Sequence, residues 1–401
     1  MSSSEMSLQF PSDVSALAQA REDLPWFDPS TDDSSWHDWK WQLRAAIRTP
    51  EQLFAVFPAL SETELIEITR NSLTRRMMIT PYALTLVQRD NRKRPRHDDP
   101  LWRQFVASWV EPLDTIETSQ AVGWEHPLDM ISPNVQRKYP NRVLVRTTNS
   151  CLGYCQFCVL SVRTLDRQSG SQRLDEDEWQ ATISFIEGTP DIEEVILSGG
   201  DPLLLSDELL RKRLRSLRAL DRPLIIRINT RALTHNPFRI TARLLEIFAE
   251  CDVNALSIHV THPNELTAEF RAAVSLLRRV VPVMVSHIPL LRGVNNDAQT
   301  MRRLCMELYR EGIVGGYLFH FSPNTPGATV FGTSIAEGID IMRALRRFIS
   351  SPAVPDFVLL HPEGKLNVPI DDEFVILGDD IKGASARFTN WRGDSVEYKS
   401  K

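Results

Sequence analysis

Three cysteines stand close together in the run Cys151-Leu-Gly-Tyr-Cys155-Gln-Phe-Cys158. At this spacing three thiolates can bind one cubic [4Fe–4S] cluster, and one of its irons then lacks a protein ligand. An iron with an open position can bind a small molecule, so the spacing indicates catalysis more than electron storage. A structural zinc site is the alternative, but it requires four ligands, and no fourth cysteine lies nearby.

A second group of candidate residues follows short apolar runs. The stretch Leu197-Ser-Gly199-Gly200-Asp201-Pro202 ends one such run, and its glycines would let a ligand approach the backbone closely. Taken alone, the same residues also make an ordinary tight turn. Arg231, His259 and His287 end three later runs. Because the carboxyl ends of parallel strands share one rim, we expect these side chains to face a pocket, as hydrogen-bonding groups or as ligands.

The elements that must position these residues alternate between strands and helices. Six β-branched runs are predicted as strands, at residues 143–147, 194–198, 224–230, 255–260, 281–287 and 315–321. Six amphipathic stretches are predicted as helices, at residues 176–187, 207–220, 241–250, 266–280, 298–311 and 335–349. Such βα units form a parallel sheet, which either closes as a barrel or stays open with helices on both faces.

The segments outside these units are read from composition and periodicity. Residues 1–35 are rich in Ser, Asp and Pro, which predicts a loosely ordered N-terminus. Residues 36–141 read as a helical appendage followed by a connecting loop from residue 111, and Ser61 with Glu64 forms a capping box at one helix start. After residue 350 we expect a strand at 357–361, a Gly-Lys turn, a strand near 374–377 and a terminal hairpin.

Composition argues against several classes of protein. A net charge of −6 over 401 residues gives no general reason for nucleic-acid binding, and the basic run Arg92–His97 reads as a solvated loop. No apolar run approaches the ~18 residues of a membrane-spanning helix, so we expect no membrane contact. The chain has five cysteines, three of them clustered, which favours a reducing cytoplasm and predicts that Cys251 and Cys305 are buried.

The cysteine run resembles the CxxxCxxC signature of the radical S-adenosylmethionine (radical SAM) enzymes. In that family the open iron binds the amino and carboxylate groups of S-adenosylmethionine, and one electron from the cluster releases a 5′-deoxyadenosyl radical. The resemblance implies this chemistry, an electron donor such as flavodoxin or ferredoxin, and a partial (β/α)6 barrel. Gly199, Gly200 and Asp201 match the family's turn that holds the methionine amino group.

A closer resemblance covers the chain from about residue 36 to its end. Five strings look like the lysine 2,3-aminomutase branch of these enzymes: Asp38-Trp-Lys-Trp-Gln-Leu43, Tyr139-Pro-Asn-Arg-Val-Leu144, Leu197-Ser-Gly-Gly-Asp201, His262-Pro-Asn-Glu265 and Leu290-Leu-Arg-Gly-Val-Asn295. The likeness includes the helical appendage, which many other radical SAM enzymes lack. Members of this branch are oligomeric, so the resemblance also implies a homo-oligomer.

Members of this branch also bind pyridoxal phosphate as a Schiff base to a lysine in a Gly-rich turn. Lys365 aligns with that lysine, although only one glycine precedes it here. The resemblance implies that the cofactor phosphate meets Tyr139 and Arg142, which match the family, and Lys138, where the family carries arginine. Arginine offers a fork that suits phosphate, while lysine gives a point charge.

The positions that hold lysine in the family have changed in this chain. Leu160 replaces an arginine that pairs with the substrate carboxylate, Ser322 replaces one aspartate that holds the distal ammonium, and no acid stands at Leu360–His361 in place of the other. A buried ammonium without a partner is costly, so lysine is not the expected substrate. Arg163 or Arg167 could supply a displaced carboxylate anchor.

These patterns leave three interpretations. The leading one is a radical SAM isomerase that uses pyridoxal phosphate for 1,2-amino migration on an amino acid or related amine other than lysine. The second is a dehydrogenase, epimerase or rearrangement enzyme that keeps the radical and lacks pyridoxal phosphate. The third, a non-catalytic iron–sulfur protein that binds a partner through the appendage, does not explain the Gly-Gly-Asp turn. The expected organisation is an N-terminus (1–35), an appendage (36–141), a barrel (142–350) and a β extension (351–401).

Overall fold

A computed structural model describes residues 33–96, 98–109, 125–323, 325–362, 364–370, 375–377, 385–389 and 394–399. The loosely ordered N-terminus predicted at 1–35 therefore lies outside the described residues, except for its last three. Residues 110–124 also lie outside the described part of the chain, and 111–124 belong to the predicted connecting loop.

The N-terminal part of the described chain is helical, as predicted. Its six helices are α1 (Asp33–Trp36), α2 (Trp39–Arg44), α3 (Pro50–Val56), α4 (Glu62–Ser72), α5 (Pro81–Thr85) and α6 (Pro100–Phe105). The predicted capping box is confirmed at α4, where Ser61 and Glu64 bond reciprocally. These helices surround a separate apolar cluster that includes Phe57, Tyr82 and Trp102, and Phe238 from the barrel packs into it.

The barrel is a ten-stranded sheet whose spatial order follows the sequence. Its strands are β1 (Met130–Ser132), β2 (Val135–Tyr139), β3 (Arg142–Thr148), β4 (Glu194–Gly199), β5 (Ile225–Thr230), β6 (Ala255–His259), β7 (Val283–Leu290), β8 (Val314–His320), β9 (Asp356–His361) and β10 (Gly364–Asn367). Strands β3 to β9 run parallel, while β1, β2 and β10 pair antiparallel at the two ends. The predicted partial barrel is confirmed.

Helices connect the parallel strands and cover the outside of the sheet. They are α7 (Ser161–Thr164), α8 (Glu176–Glu187), α9 (Asp207–Arg218), α10 (Ala232–His235), α11 (Ala242–Glu250), α12 (Ala268–Leu277), α13 (Ala298–Arg310), α14 (Ala328–Phe331) and α15 (Ile335–Phe348). Short 3₁₀ turns occur at Pro127–Asp129, Pro202–Leu204, Pro237–Arg239, Pro263–Glu265 and Ser351–Ala353. The long helices begin at capping residues such as Asp175, Ser206 and Ser334, whose side chains accept backbone N–H bonds.

Two sequence predictions need correction. The predicted loop contains β1 and β2, which extend the sheet antiparallel to β3. The run Val-Gln-Arg-Lys-Tyr of β2 lacks apolar alternation, because a strand near the edge of a sheet tolerates polar side chains. Lys365 lies within β10, paired with Leu360 of β9, and not in a turn.

The other C-terminal elements that were predicted are confirmed where the chain is described. Strands β11 (Val375–Leu377), β12 (Ser385–Thr389) and β13 (Ser395–Lys399) form a separate antiparallel sheet, and β12 with β13 is the predicted terminal hairpin. Residue 374 of the predicted strand lies outside the described residues.

Candidate active site

The three clustered cysteines line one cavity at the carboxyl ends of the parallel strands. Cys151 comes shortly after β3, and Cys155 and Cys158 follow in the loop before α7. The cavity has a volume of about 250 Å³, and Lys365 lies on its wall together with all three cysteines. Within the described residues, no group of three or more His, Cys, Asp or Glu side chains is arranged to hold a single metal ion.

The helical appendage holds the cysteine loop in place. The N–H of Tyr154 donates to the carbonyl of Met78 at 3.0 Å, and the N–H of Gln156 donates to the carbonyl of Gln104 at 2.8 Å. The guanidinium of Arg75 donates in turn to the carbonyl of Gln156 at 2.7 Å. The position of the cysteines therefore depends on segments that come long before them in the sequence.

The cysteine thiols lie in an apolar environment. Burial raises the pKa of all three thiols, that of Cys155 to about 12 and that of Cys151 well above its ordinary value. A thiolate here is costly unless a cationic group compensates its charge, which a bound metal centre does. Thr164 Oγ1 donates to Cys158 Sγ at 3.3 Å, and His235 Nε2 lies 3.3 Å from Cys155 Sγ. This donor set fits an iron–sulfur cluster.

Both glycines at the end of β4 are required by close contact with the end of β3 and the residue before Cys151. Gly199 has φ +118°, and a Cβ there would lie 2.3 Å from the carbonyl oxygen of Thr148. A Cβ on Gly200 would lie 2.0 Å from the carbonyl oxygen of Ser150. Both glycines also line the cavity, so the close approach and an exposed backbone for a ligand occur together.

Asp201 lines the cavity, but its carboxylate is bonded to the protein. It accepts hydrogen bonds of 2.9 Å from Thr230 Oγ1 and from the N–H of Arg231, and one of 3.0 Å from the N–H of Leu203. Burial raises its pKa to about 6, against these hydrogen bonds. Asp201 thus ties the end of β4 to the end of β5.

Arg231, His259 and His287 all line the cavity, as their positions at strand ends suggested. Arg231 is buried and pairs with Glu265 at 3.0 Å. The rings of His259 and His287 are in edge contact, with 5.1 Å between centroids. Burial lowers the pKa of His259 to about 4 and that of His287 well below its ordinary value, so both imidazoles are neutral near pH 7.

Lys365 reaches the cavity from the last strand of the sheet. Its Nζ lies 4.1 Å from the centroid of the Tyr317 ring. Burial, followed by the charges of Arg227 and Arg142, lowers the pKa of Lys365 to about 8, while Glu194 acts in the opposite direction. A large share of this amine is therefore neutral and nucleophilic at mildly alkaline pH.

The three residues predicted to meet a phosphate lie beside Lys365 and do not line the cavity themselves. Tyr139 Oη accepts a hydrogen bond from the backbone N–H of Lys365 at 2.8 Å. The guanidinium of Arg142 stacks 4.4 Å from the Tyr139 ring centroid. Lys138 Nζ forms a buried ion pair of 2.6 Å with Asp129 and contacts the carbonyl of Pro362.

The comparisons with known proteins point to one family. Residues 145–305 match the family model of the radical SAM superfamily. The chain is 34% identical to L-lysine 2,3-aminomutase from Acetoanaerobium sticklandii, over 85% of this chain and 80% of that protein. This chain belongs to the lysine 2,3-aminomutase family of radical SAM enzymes. As such it is an enzyme that uses a [4Fe–4S] cluster and S-adenosylmethionine.

Two further relatives are named for different substrates. A protein from Aquifex aeolicus named as a putative L-lysine 2,3-aminomutase is 32% identical over 93% of this chain and 97% of its own length. Glutamate 2,3-aminomutase from Clostridioides difficile is 28% identical over 92% of this chain and 83% of its own length.

No described helix is long and apolar enough to cross a membrane.

Most of the positions that the family resemblance assigns to the substrate lie on the cavity wall. Leu160, Ser322 and Leu360 all line the cavity. Arg163 and Arg167, suggested as displaced anchors, do not line it. Arg163 pairs with Glu125 at 2.8 Å, and Arg167 Nε donates to the carbonyl of Arg75 at 3.4 Å.

Sequence reasoning missed charged residues on the inner face of the barrel strands. Arg146 lines the cavity, and Arg227 and Glu194 influence Lys365. Arg146 lies four residues after Arg142, with buried Val143 and Val145 alternating between them. This alternation of apolar and charged residues is the sequence signal that could have pointed to Arg146. Because both faces of a barrel strand are buried, the alternation does not show which face lines a cavity.

Proposed function

We propose that this enzyme binds pyridoxal phosphate at Lys365 and moves an amino group between neighbouring carbons of an amino acid other than lysine. One observation carries the proposal: Lys365 lines the same cavity as the three cysteines and has a pKa lowered to about 8. A radical source and an amine-binding group would then act on one bound molecule. A low-potential donor such as flavodoxin or ferredoxin and a homo-oligomeric state belong to the same proposal.

The rim of the barrel would hold the radical source. Cys151, Cys155 and Cys158 would bind the cluster, which with S-adenosylmethionine supplies a carbon radical able to remove a hydrogen atom from the substrate. Gly199 and Gly200 present backbone without side chains at the same rim, where the methionine part of the ligand can approach. Asp201, Arg231, His259 and His287 would complete this side, either at the ligand or by fixing the strand ends that support it.

The opposite side would hold the second cofactor. Pyridoxal phosphate supplies an extended π system that stabilises an unpaired electron beside the substrate nitrogen. Arg142 and Arg227 each have a buried Nε atom that no described residue hydrogen-bonds, and both pair with Glu194. These guanidinium groups, with Tyr139 and Lys138, would suit a phosphate next to Lys365.

The remaining walls would protect a radical from water. Phe157, Phe319 and Phe321 line the cavity, and the neutral imidazoles of His259 and His287 add no charge to it. Leu160 and Leu360 continue this apolar lining. A second ammonium on the substrate would find no carboxylate at these positions, which supports a substrate other than lysine.

The decisive experiment traps the amine cofactor. Anaerobically reconstituted protein is incubated with pyridoxal phosphate, reduced with borohydride and mapped by peptide mass spectrometry. We expect one phosphopyridoxyl adduct, at Lys365, that is absent in Lys365→Ala, and that variant should still bind its iron. Reconstituted wild-type protein that cleaves S-adenosylmethionine but gives no adduct at Lys365 would contradict the proposal.

One observation favours a second candidate. Lys138, which the family resemblance assigns to the phosphate, is already paired with Asp129. A radical SAM enzyme without pyridoxal phosphate, acting as a dehydrogenase, an epimerase or a rearrangement enzyme, would need no phosphate site at all. The trapping experiment separates the two candidates, because the second predicts S-adenosylmethionine cleavage without an adduct.

A further inference from the structure

Arg146 is a buried cation on the cavity wall. It lies on β3, and Leu144, two residues before it, lines the same cavity, as expected for alternate residues of a strand. Its residue exposure is 2%. Arg146 Nη2 donates to Gln136 Oε1 at 3.0 Å and forms an ion pair of 2.5 Å with Glu125. Its Nε and Nη1 atoms are buried and have no hydrogen-bond partner within the described part of the chain.

Among the described residues, Glu125 is the one carboxylate that forms an ion pair with Arg146. Glu125 also pairs with Arg163 at 2.8 Å, so two guanidinium groups share one carboxylate. Burial lowers the pKa of Arg146 to about 10, which still leaves it protonated at neutral pH. Buried donors without partners are unfavourable, and native proteins usually pair them with a protein group, a water or a ligand.

The other two cations among the described residues that line the cavity, Arg231 and Lys365, are placed differently. Arg231 is paired with Glu265 and has one buried donor without a partner, its Nε, against two in Arg146, and Lys365 Nζ lies over the Tyr317 ring. Among the described residues that line the cavity, Asp201 is the only carboxylate, and it accepts bonds from Thr230 and backbone groups. A ligand with a carboxylate and no second cation fits this distribution of charge.

Arg146 also has neighbours that suit an amino acid. Ser198 of β4 is in register with Arg146 and lines the cavity. Asn229 of β5 lines it too, and its Oδ1 is buried without a hydrogen-bond partner. The same wall thus presents unsatisfied donors and an unsatisfied acceptor.

We infer that Arg146 binds the α-carboxylate of the substrate, and that this substrate is an α-amino acid whose side chain carries no positive charge. Arg146 then takes the place that the family resemblance assigns to an arginine at position 160, where this chain has Leu160. The inference rests on the proposed function, since it assumes that an amino acid binds beside Lys365. The inference adds which residue binds the substrate carboxylate and which class of side chain the substrate carries.

Binding without turnover tests this inference. Protein carrying its cluster, S-adenosylmethionine and pyridoxal phosphate is titrated in a calorimeter without reductant. The probes are L-alanine, L-leucine and L-phenylalanine, their α-carboxamides, which lack the carboxylate, and L-lysine. We expect at least one free amino acid to bind ~10- to 100-fold more tightly than its amide, as loss of a charged hydrogen bond implies, and more tightly than L-lysine.

Variants assign that preference to Arg146. Arg146→Gln should bind the acid and the amide equally, while Arg163→Gln, which alters the other partner of Glu125 outside the cavity, should keep the preference. Adding Leu160→Arg to Arg146→Gln should restore part of it, and this rescue also shows that the variant is folded. Arg146→Lys, which keeps the charge, should retain an intermediate preference.

Three results would overturn the inference: equal binding of acids and amides by the wild-type protein, an unchanged preference in Arg146→Gln, or no binding of any probe. Failure of the proposed function gives a different signature. The borohydride adduct at Lys365 is measured on the same samples, and Arg146→Gln should form it as the wild-type protein does. If the wild-type protein forms no adduct, the proposed cofactor role of Lys365 fails. The role of Arg146 is still tested by the comparison of each acid with its amide.

Discussion

The backbone N–H of Lys365 donates a hydrogen bond of 2.8 Å to the phenolic oxygen of Tyr139. The two residues lie on β10 and β2, strands from opposite ends of the sheet that do not pair with each other. Lys138 contacts the carbonyl of Pro362 across the same gap. Side chains therefore close the barrel where backbone pairing stops, and the candidate cofactor lysine lies at that closure.

Tyr139→Phe should weaken binding of pyridoxal phosphate about five-fold, as loss of one hydrogen bond worth about 1 kcal/mol implies. Phenylalanine keeps the ring that stacks on Arg142, so the variant removes only the oxygen. Titration of the apoprotein with the cofactor measures the change. Tyr309→Phe on α13 is the control and should bind as wild type. Equal affinity in both variants would contradict a role for this contact.

The capture of an aldehyde by Lys365 should depend on pH with a midpoint near 8. Its pKa is lowered to about 8 by burial and by Arg227 and Arg142. The fraction of Lys365 in the neutral amine form therefore rises about tenfold per pH unit below pH 8 and levels off above it. Glu194→Gln should move the midpoint lower, because Glu194 raises this pKa. The rate of pyridoxal phosphate binding from pH 6.5 to 10 checks both statements. A rate that still rises at pH 10 would show that the pKa of Lys365 is not lowered.

Replacing any one of Cys151, Cys155 and Cys158 by Ala should abolish cluster assembly, because each supplies one of three ligands to the same centre. Iron content and the visible absorbance after anaerobic reconstitution measure this. Cys305→Ala is the matched control, since Cys305 is buried in the barrel core away from the cavity. It should keep its iron and lose about 1 kcal/mol of unfolding free energy. Full iron content in Cys155→Ala would exclude that residue as a ligand.

His235→Leu should leave the cluster in place and make its reduction potential more negative. His235 Nε2 lies 3.3 Å from Cys155 Sγ, and an N–H directed at a ligating sulfur stabilises the reduced cluster. A redox titration followed by electron paramagnetic resonance measures the potential without requiring turnover. Thr164→Val, which removes the hydroxyl that donates to Cys158, should shift it in the same direction. An unchanged potential in both variants would mean that these contacts only pack.

Phe238→Ala should lower the free energy of unfolding by about 3–5 kcal/mol, the usual cost of emptying a buried aromatic site. Phe238 belongs to the barrel chain but packs in the core of the appendage, in edge contact with Tyr82 and His37. Ile66→Ala on the exposed face of α4 is the control and should change stability by less than about 0.5 kcal/mol. Urea denaturation gives both values. Similar stability of the two variants would mean that appendage and barrel do not share a core.

The sequence alone determined the class of protein and most of its elements. The spacing of Cys151, Cys155 and Cys158, six alternations of strand and helix, and the Gly199-Gly200-Asp201 turn are local patterns, so they survive without tertiary information. Periodicity located the six strands and six long helices to within a few residues. It failed at β2, where a polar edge strand carries no apolar alternation to detect.

The tertiary structure alone decided how distant residues meet. Lys365, Arg146 and Cys155 line one cavity because barrel closure brings β2 and β10 together, and no local pattern records that contact. The same closure gives Lys365 a pKa of about 8 and leaves Arg146 with two buried donors, since burial and neighbouring charges depend on the whole fold. The sequence determines the residue types. The protonation of these residues and the hydrogen bonds that they lack depend on the neighbours that the fold places around them.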